Sequence, residues 1–568
     1  MIKKIDFVLD YKVKELEEKA YIYLLSFCEI GNKENLFFAG NIEEFLEELK
    51  YFEEERIKIY TIDLKIFGEF LFSKLLKLGY KCVKDRSQRD VKTFSTLINE
   101  MGNFYSIEIY YDKKKNNSKR VMIYDIKNII NKDIRELSQD FLMKEYKKVN
   151  NEFEDINRNL DILEEVMRIL KLNKIDKITI GSSALADYKE KLGDFYYYFP
   201  DITTEVHNTI KKAYKGGFCY VNPIYKSKGK GKGIVLDYNS MYPYVMKNKE
   251  LPFGDLIYFE GEYEEDPLYN LYIEVISISF DLKQGKIPCI QIRDNIEYDP
   301  VEYLSSSGND IVTITVTNID LELIKENYDI HYIKYHYGFK MKSCVGLFDE
   351  YINYWSEKKE KAINNKNESV YEIAKAMQNM LYGKFGTNPE GRRKFPVLQD
   401  DGSISYAFYE KEEIKKVYLP VAIFTTSYAR EKIIKDCEKV MNFTIKNWGY
   451  NAYLYSDTDS IHVLLDKHNE EEIEKLFDLS DSELGKLKIE KRFTSCKYIK
   501  AKCYILCNSK ENKIITKVSG MSKRLKDSKK QVKISLKNFK SGLKTFGKTK
   551  YKHVNGGVIK IDTEFEIK

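Results

Sequence analysis

The sequence predicts an α+β protein with several domains. Its 568 residues are several times the usual length of one domain, so large separate cores are expected. Strand-like segments such as YIYLLSF and FYSIEIYY alternate with helical segments such as EEFLEELKYFEEE and LDILEEVMRILKL. Farther along, strands with turn signals give way to long helices over 346 to 386, more strands follow to about 510, and a basic tail ends the chain.

The distribution of charge is more informative than the bulk composition. The formal net charge is only +6, because 88 acidic residues nearly balance 94 Lys and Arg. Residues 521 to 553, however, hold twelve Lys or Arg against one acid, Asp527, and include Phe539, Phe546 and Tyr551. A solvated face usually mixes both signs of charge, so this basic and aromatic run favours contact with a phosphate backbone.

The cysteines and the apolar segments predict a soluble, cytoplasmic protein. None of the nine cysteines forms a CxxC pair, so neither a zinc site nor a disulfide framework is indicated. The N-terminal MIKKIDFVLDYK lacks the apolar region of a signal peptide, and no stretch approaches the roughly 18 apolar residues of a membrane span.

Two acidic motifs predict a site for divalent cations. In IVLDYNSMYP, a buried strand ends at Asp237, and Pro243 prevents its continuation. In AYLYSDTDSIHVLL, two β-rich arms predict a hairpin with Asp457 and Asp459 at its tip. An isolated DTD turn is most often a solvated loop. The strand-end Asp upstream makes a cation site the favoured interpretation instead. Together these acids suit two ions about 4 Å apart, with Mg²⁺ as the natural cation and Mn²⁺ as its substitute.

A helical segment, YEIAKAMQNMLYGKF, places three polar side chains on one face. Lys375, Asn379 and Tyr382 fall at i, i+4 and i+7. The predicted apolar face consists of Ile373, Met377, Met380 and Leu381. An ordinary amphipathic helix would explain the apolar face, but the polar ridge suits a triphosphate, a sugar and a base. Gly383 either permits close approach of a base or marks the end of the helix.

The order DYNSMYP, KAMQNMLYG and YSDTDS resembles motifs A, B and C of the family B DNA polymerases. AYKGGF resembles the YxGG element of their protein-primed branch. Without that resemblance, a plain loop would explain its paired glycines. That branch serves small linear-genome phages and linear plasmids. The resemblance runs from Asp6 to the final GGVIKIDTEFEIK and implies a right-hand fold with palm, fingers, thumb, two insertion subdomains and an N-terminal ribonuclease-H-like, exonuclease-type domain.

The resemblance also implies domain boundaries. They are 1–180 for a degenerate exonuclease-type domain, 181–253 for a connector and the first part of the palm, 254–345 for a first insertion of terminal-protein type, 346–386 for the fingers, 387–420 for a second insertion of strand-displacement type, 421–520 for the second part of the palm and 521–568 for the thumb. Within the second insertion, TNPEGRRKFPVLQDDGSISYAFYEKEEIKKVYLP predicts a β-hairpin centred on Asp401 and Gly402.

Roles carried over from the family give expectations for the polymerising centre. Asp237 and Asp459 would be the principal metal ligands, with the Tyr238 carbonyl near the metal and Asp457 supporting them. Tyr242 would exclude ribonucleotides by packing under the deoxyribose, although a core tyrosine before a Pro turn is the alternative. Further contacts are implied with the triphosphate at Lys375 and Lys359, with the nascent pair at Asn379 and Tyr382, with the primer at Lys502 and Tyr504, and with the template at Tyr214, Gly216 and Gly217.

The sequence departs from the family in two places. Met380 stands where the family usually has Ser in motif B, a change expected to affect packing in the fingers more than activity. The family's exonuclease needs four carboxylates and a tyrosine, and the matching positions here are Asp6, Val8, Phe67, Asn157 and Asp161. Only Asp6 and Asp161 remain as carboxylates, so a retained fold with lost or much weakened hydrolysis is expected. Asp10 or Asp63 could supply a replacement ligand.

The expected partners are a DNA template and primer, deoxynucleotides and a terminal protein as an alternative primer, bound by a monomer without a membrane. The expected setting is the cytoplasm of a bacterial host, with the gene carried by a phage or mobile element. A reverse transcriptase is the nearest enzymatic alternative, but its hallmark is a pair of adjacent aspartates, and Thr458 separates Asp457 from Asp459. A non-catalytic nucleic-acid-binding relative is the other alternative, and it predicts loss of the palm acids.

Overall fold

The computed structural model describes residues 3–111, 119–147, 149–292, 302–413, 417–511, 513–521 and 534–567. Much of the predicted basic run, residues 522–533, therefore lies outside the described residues. Helices and sheets are both abundant, so the α+β prediction is confirmed. No helix in these ranges is long and apolar enough to cross a membrane.

The N-terminal region is a mixed sheet covered by helices. Its elements are β1 (Lys4–Glu15), β2 (Ala20–Glu29), β3 (Asn32–Ala39), α1 (Ile42–Tyr51), β4 (Arg56–Thr61), α2 (Leu64–Lys77), β5 (Lys81–Cys82), β6 (Thr93–Asn99), β7 (Phe104–Tyr110), β8 (Arg120–Asp125), α3 (Ile134–Leu142) and α4 (Glu152–Leu172). β8, β4 and β1 run parallel at its centre, with antiparallel strands on both sides. α4 begins where the Asn151 side chain accepts from two backbone N–H groups.

The segment from 181 to 213, expected to be a connector, is mostly helical. Helices α5 (Ile180–Leu192), α6 (Phe195–Tyr198) and α7 (Thr204–Ile210) lead to β9 (Phe218–Val221), β10 (Gly233–Tyr238) and α8 (Met241–Asn248). A separate four-stranded sheet, in the order β11-β14-β12-β13, then forms the region of the first insertion. Its elements are β11 (Leu251–Glu260), β12 (Leu271–Leu282), β13 (Val312–Thr317), α9 (Asn318–Asn327) and β14 (Tyr328–Cys344).

Two packed helices, α10 (Asp349–Asn364) and α11 (Glu368–Phe385), occupy the region expected to form the fingers. A hairpin arm follows, built from β15 (Glu390–Gly391), β16 (Arg393–Leu398), β17 (Ile404–Phe408) and β18 (Glu412–Glu413). β16 and β17 pair across Asp401 and Gly402, so the predicted hairpin is confirmed. β16 also pairs with β6, which extends the N-terminal sheet with strands from the second insertion.

The prediction of strands directly after this arm was wrong, because residues 419 to 448 form one helix, α12 (Leu419–Trp448). Its N-terminal half is buried on all sides, so it lacks the one-sided apolar pattern of a surface helix. The remaining elements are β19 (Tyr453–Thr458), β20 (Ser460–Leu464), α13 (Glu470–Glu474), β21 (Leu487–Phe493), β22 (Ser495–Lys500), β23 (Cys503–Asn508), β24 (Lys513–Val518), β25 (Lys544–Val554) and β26 (Gly557–Glu566). The central sheet has the order β21-β10-β20-β19-β9 and carries both acidic motifs.

Candidate active site

The end of β10 and the tip of the β19–β20 hairpin lie side by side in the central sheet. β10 pairs antiparallel with β20, and Asp237 is near its end. The backbone N–H of Tyr238 donates to the carbonyl of Asp459 at 2.9 Å, which joins the two acidic motifs. Thr458 turns the chain with φ of +66°, and the N–H of Asp459 donates to the Asp457 carbonyl at 2.8 Å. The predicted hairpin with acids at its tip is confirmed.

Burial and neighbouring carboxylates raise the pKa of Asp237 and of Asp459. Burial raises the pKa of Asp237 to about 7, and the charge of Asp459 is the second cause. Burial also raises the pKa of Asp459 to about 6, and the charge of Asp457 adds to the effect. The ionised forms are therefore unfavourable together until a cation compensates for them. This electrostatic arrangement suits a divalent cation.

Another carboxylate belongs to this group and was missed in the sequence. Glu490 lies on β21, next to β10, and its charge raises the pKa of both Asp237 and Asp459. Lys488 on the same strand has the opposite effect on Asp237. The local sequence KLKIEKRF mixes both signs of charge, as a solvated edge strand does. Only the pairing of β21 with β10 shows that Glu490 lies near Asp237 and Asp459.

Three lysines lie close together on the side of the fingers. Burial lowers the pKa of Lys359, and the charges of Lys375 and Lys488 lower it further. The Nζ atoms of Lys359 and Lys375 lie 6.0 Å and 5.7 Å from the ring centroid of Tyr371. α10 and α11 thus bring the two lysines expected at the triphosphate together, and β21 supplies a third. Clustered cations beside carboxylates suit a polyphosphate that binds with a divalent cation.

Tyr242 at the start of α8 packs against Tyr382 of α11. Their ring centroids are 4.0 Å apart and their planes are inclined by 33°. The charge of Asp459 contributes to raising the pKa of both phenols, after burial, so the pair lies close to the acids. Both rings are only partly buried, which agrees better with a surface offered to a ligand than with a core tyrosine.

In the motif-B helix, the position of Met380 differs from prediction, and one of the two alternatives for Gly383 is excluded. Met380 was placed on the apolar face, but it is 49% exposed and lines a cavity of about 490 Å³ between α11 and the N-terminal region. Gly383 does not end the helix, because α11 continues to Phe385 and is capped by Gly386. A Cβ at Gly383 would meet no atom within 4 Å, so the surface beside Tyr382 is open.

The AYKGGF segment connects the end of α11 to the β19–β20 hairpin. A Cβ on Gly386 would lie 2.3 Å from the Tyr214 hydroxyl, so that tyrosine packs directly against the end of α11. A Cβ on Gly217 would lie 2.6 Å from Cγ2 of Thr458, so glycine is needed for the approach of the hairpin tip. Gly216 has open space around it and remains available to a ligand.

Arg430 of α12 holds this segment in place, and the sequence did not reveal it. Its Nη1 donates to the carbonyls of Lys215 and Gly216 at 3.0 Å and 3.3 Å. Its Nη2 donates to both oxygens of Asp320 in α9 at 2.8 Å and 2.9 Å. Arg430 and Asp320 are almost fully buried, so removing one partner would leave an uncompensated charge.

The two residues expected at the primer differ in exposure. Lys502 is exposed and has φ of +56°, and its backbone N–H donates to the hydroxyl of Tyr455 at 2.9 Å. Tyr504 is only 6% exposed and packs against Tyr455, His462 and Tyr498. Lys502 is therefore the accessible residue of the two. Tyr504 mainly packs against residues of the β19–β20 hairpin and of β22.

The two acids that remain at the exonuclease positions are paired with lysines. Asp6 lies 2.5 Å from Nζ of Lys171, and Asp161 lies 3.1 Å from Nζ of Lys33. Val8 and Phe67 are fully buried in two different apolar cores. The alternative ligands are also engaged, because Asp10 accepts from Asn159 at 2.9 Å and Asp63 pairs with Lys127.

The donor set of the acidic site fits Mg²⁺. Carboxylate and carbonyl oxygens of Asp237, Asp459 and Tyr238 are hard ligands of the type that Mg²⁺ prefers. Among the described residues, no three Asp, Glu, His or Cys side chains converge closely enough to hold a metal by themselves. Further oxygens, such as those of substrate phosphates, are therefore needed to complete the coordination.

Known proteins resemble this chain over its whole length. Residues 160–476 match the family described as DNA polymerase type B, organellar and viral. The chain is 32% identical to the DNA polymerase of Bacillus phage M2, over 99% of each protein, and 30% identical to that of Bacillus phage phi29, over 99% of this chain and 98% of the relative. The structure of phi29 DNA polymerase with primer-template DNA and incoming nucleotides matches with a TM-score of 0.88 and 29% identity, covering 99% of this chain and all of the other.

Proposed function

The chain belongs to the organellar and viral type B DNA polymerases, and we propose that it extends a DNA primer or a protein hydroxyl by two-metal nucleotidyl transfer. The proposal includes displacement of the strand ahead and the absence of appreciable 3′→5′ hydrolysis. Template, primer and deoxynucleotides are the substrates proposed for this chain, since a related polymerase was solved with primer-template DNA and incoming nucleotides.

One observation carries the proposal. Asp237 and Asp459 come from separate motifs, yet adjacent strands bring them together beside the lysines of the fingers. This arrangement provides anionic ligands for cations and cationic ligands for a triphosphate within one site. Neither the reverse-transcriptase alternative nor the non-catalytic alternative accounts for retained, separated acids in a chain of this family.

Each group contributes through its position. Asp237 and Asp459 would hold two Mg²⁺ ions, which supply Lewis acidity to the attacking 3′-hydroxyl and the leaving pyrophosphate. Lys375 and Lys359 would bind the triphosphate and stabilise negative charge on it. Asn379, Tyr382 and Tyr242 would orient the new base pair and its sugar, which lowers the entropic part of the barrier.

A primer-extension assay tests the central proposal. The purified protein with a primed template, Mg²⁺ and deoxynucleotides should lengthen the primer to the end of the template, and it should add little when the template is omitted. Protein priming is tested by incubation with candidate terminal proteins and a labelled deoxynucleotide. Covalent label on a protein supports it, whereas extension of DNA primers alone limits the enzyme to that reaction.

We expect Tyr242→Val to admit ribonucleotides, because the proposed exclusion is steric. The Tyr242 ring lies against Tyr382, so a smaller side chain opens space at the sugar without removing a metal ligand. Incorporation of single ribonucleotides and deoxynucleotides should be compared, and the preference for deoxynucleotides should fall while their addition persists. Tyr244→Val is the control, since Tyr244 is a nearby tyrosine of the same helix that packs on Gly485. Unchanged discrimination in Tyr242→Val would restore the core-tyrosine interpretation.

We expect the wild-type protein to leave end-labelled single-stranded DNA at full length in the presence of Mg²⁺ without nucleotides. Two of four carboxylates are missing, and Lys171 and Lys33 neutralise Asp6 and Asp161. Shortening that disappears in Asp161→Ala would show that hydrolysis persists with other ligands. Shortening unaffected by that change, but absent from a repurified sample, would indicate a contaminating nuclease.

A further inference from the structure

A lysine faces the acidic site from the strand next to β10. In the antiparallel pairing of β10 with β21, Lys488 lies directly opposite Asp237, and Leu487 lies opposite Tyr238. Leu487 and Tyr238 are buried in the core, and successive side chains of a strand point to opposite faces. Lys488 and Asp237 therefore project together from the other face of the sheet, where the acidic site lies.

The ammonium group of Lys488 is available to a ligand. Lys486 and Lys491, which flank it in sequence, each pair with a nearby glutamate at 2.6 Å. Within the described ranges, no carboxylate lies within ion-pairing distance of half-buried Lys488. Its charge nevertheless opposes the raised pKa of Asp237. The two groups thus interact without a direct ion pair, and the lysine stays free to bind an anion.

The lysines of α10 and α11 share this site with Lys488. After burial, the charges of Lys375 and Lys488 are the causes that lower the pKa of Lys359. Lys359 and Lys375 also make no ion pair with any residue that the structure describes. Three like charges held near one another repel, and an anion with several charges removes that repulsion. The three lysines therefore suit a polyphosphate better than a single carboxylate.

The order of strands determines which part of a nucleotide meets Lys488. The central sheet runs β21-β10-β20-β19, so β10 with Asp237 separates Lys488 from the hairpin that carries Asp459. In two-metal transfer, the reacting phosphate lies at the metal ligands, which are Asp237 and Asp459 in the proposed function. A triphosphate whose α-phosphate lies there can extend its β- and γ-phosphates over β21 to Lys488.

We propose that Lys488 binds the β- and γ-phosphates of the incoming nucleotide and stabilises the pyrophosphate that leaves. The inference rests on the proposed function and adds a ligand from β21 to the two lysines of α10 and α11. When the primer 3′-oxygen bonds to the α-phosphorus, its proton passes to water. The bond from that phosphorus to the bridging oxygen breaks, and the electron pair goes to pyrophosphate. Lys488 stabilises this negative charge without giving up a proton.

Single-nucleotide addition at varied deoxynucleotide concentration tests the proposal. Lys488→Gln should raise the KM for the deoxynucleotide about ten-fold, because a charge-assisted contact is lost, while the maximal rate stays within about three-fold of wild type. Lys488→Arg should restore most of the affinity, since arginine also binds phosphate. Lys486→Gln is the matched control, because it removes the same charge just before β21 from a lysine that pairs with Asp478 and Glu483.

Calorimetric titration with inorganic tripolyphosphate and Mg²⁺ gives a second measurement that needs no turnover. Wild type, Lys488→Arg and Lys486→Gln should bind tripolyphosphate with similar affinity, and Lys488→Gln should bind it about ten-fold more weakly. Affinity for primer-template DNA should be equal in all four proteins, because the lost contact is with the nucleotide.

Equal KM values and equal tripolyphosphate affinities for wild type and Lys488→Gln would overturn the assignment of Lys488. An equal loss of both affinities in Lys488→Arg would also overturn it, because a positive charge alone would then not restore binding. A wild-type protein that binds tripolyphosphate but adds no nucleotide would instead contradict the proposed function. The two failures are therefore distinguishable.

Discussion

Asp459→Asn or Asp237→Asn is expected to lower the rate of nucleotide addition by several orders of magnitude. Asparagine keeps the shape of the side chain but removes the charge that would hold a cation. DNA binding should remain close to wild type, because neither acid is placed to contact a phosphate. Single-turnover primer extension measures the rate, and a separate binding titration measures affinity for primer-template DNA.

The same variants should keep or raise thermal stability in the absence of metal. Burial and neighbouring carboxylates raise the pKa of both acids, so each ionised form opposes folding, and the neutral asparagine removes that opposition. Asp466→Asn is the control, because Asp466 is an exposed residue directly after the catalytic hairpin. Extension near the wild-type rate by either active-site variant would show that the polymerising centre lies elsewhere.

Deletion of residues 391–416 is expected to stop synthesis at the downstream edge of a gap while sparing extension across the single-stranded gap itself. The deletion removes β16, β17, β18 and Gly391 of β15, and it joins Glu390 directly to Val417 at the base of the arm. Without this arm the enzyme loses the element proposed to separate the strands ahead of it. Gel analysis of a gapped duplex gives the stopping position.

The intact enzyme on the same gapped duplex is the control for that deletion. Because it keeps the arm, its products should run past the downstream edge of the gap without a defined stop. If the deletion variant copies through duplex as far as the intact enzyme, the arm has no role in strand displacement. The position of the stop thus tests whether the arm is needed for strand displacement.

Features specified by short sequence segments could be predicted. The Asp237 strand end, the hairpin at Asp457 and Asp459, and the hairpin at Gly402 each depend on neighbouring residues, and all three are present. The same reasoning predicted strands in the region where α12 forms. β-branched and aromatic residues on all its sides suggest strands, but burial against several elements stabilises a helix there.

Parts of the site that depend on distant pairing could not be predicted. Glu490 reaches the acids only because β21 pairs with β10, and Arg430 reaches the AYKGGF carbonyls only through the packing of α12. Met380 was misplaced because helical spacing predicts which face of the helix a residue lies on. It does not predict whether another element packs against that residue. Its exposure follows from the cavity beside the N-terminal region.

The order of synthesis matters for the N-terminal sheet. β6 pairs with β7 and β5 within this region, but its edge at Ile98 and Asn99 gains a partner only when β16 has been made. The core of the region also includes Ile404, Val554 and Val558 from much later in the chain. A nascent chain of the first 180 residues therefore has an open strand edge and an incomplete apolar core. Such edges favour pairing between chains, and contacts of high sequence separation slow folding. The first region to leave the ribosome is consequently among the last to reach its final packing.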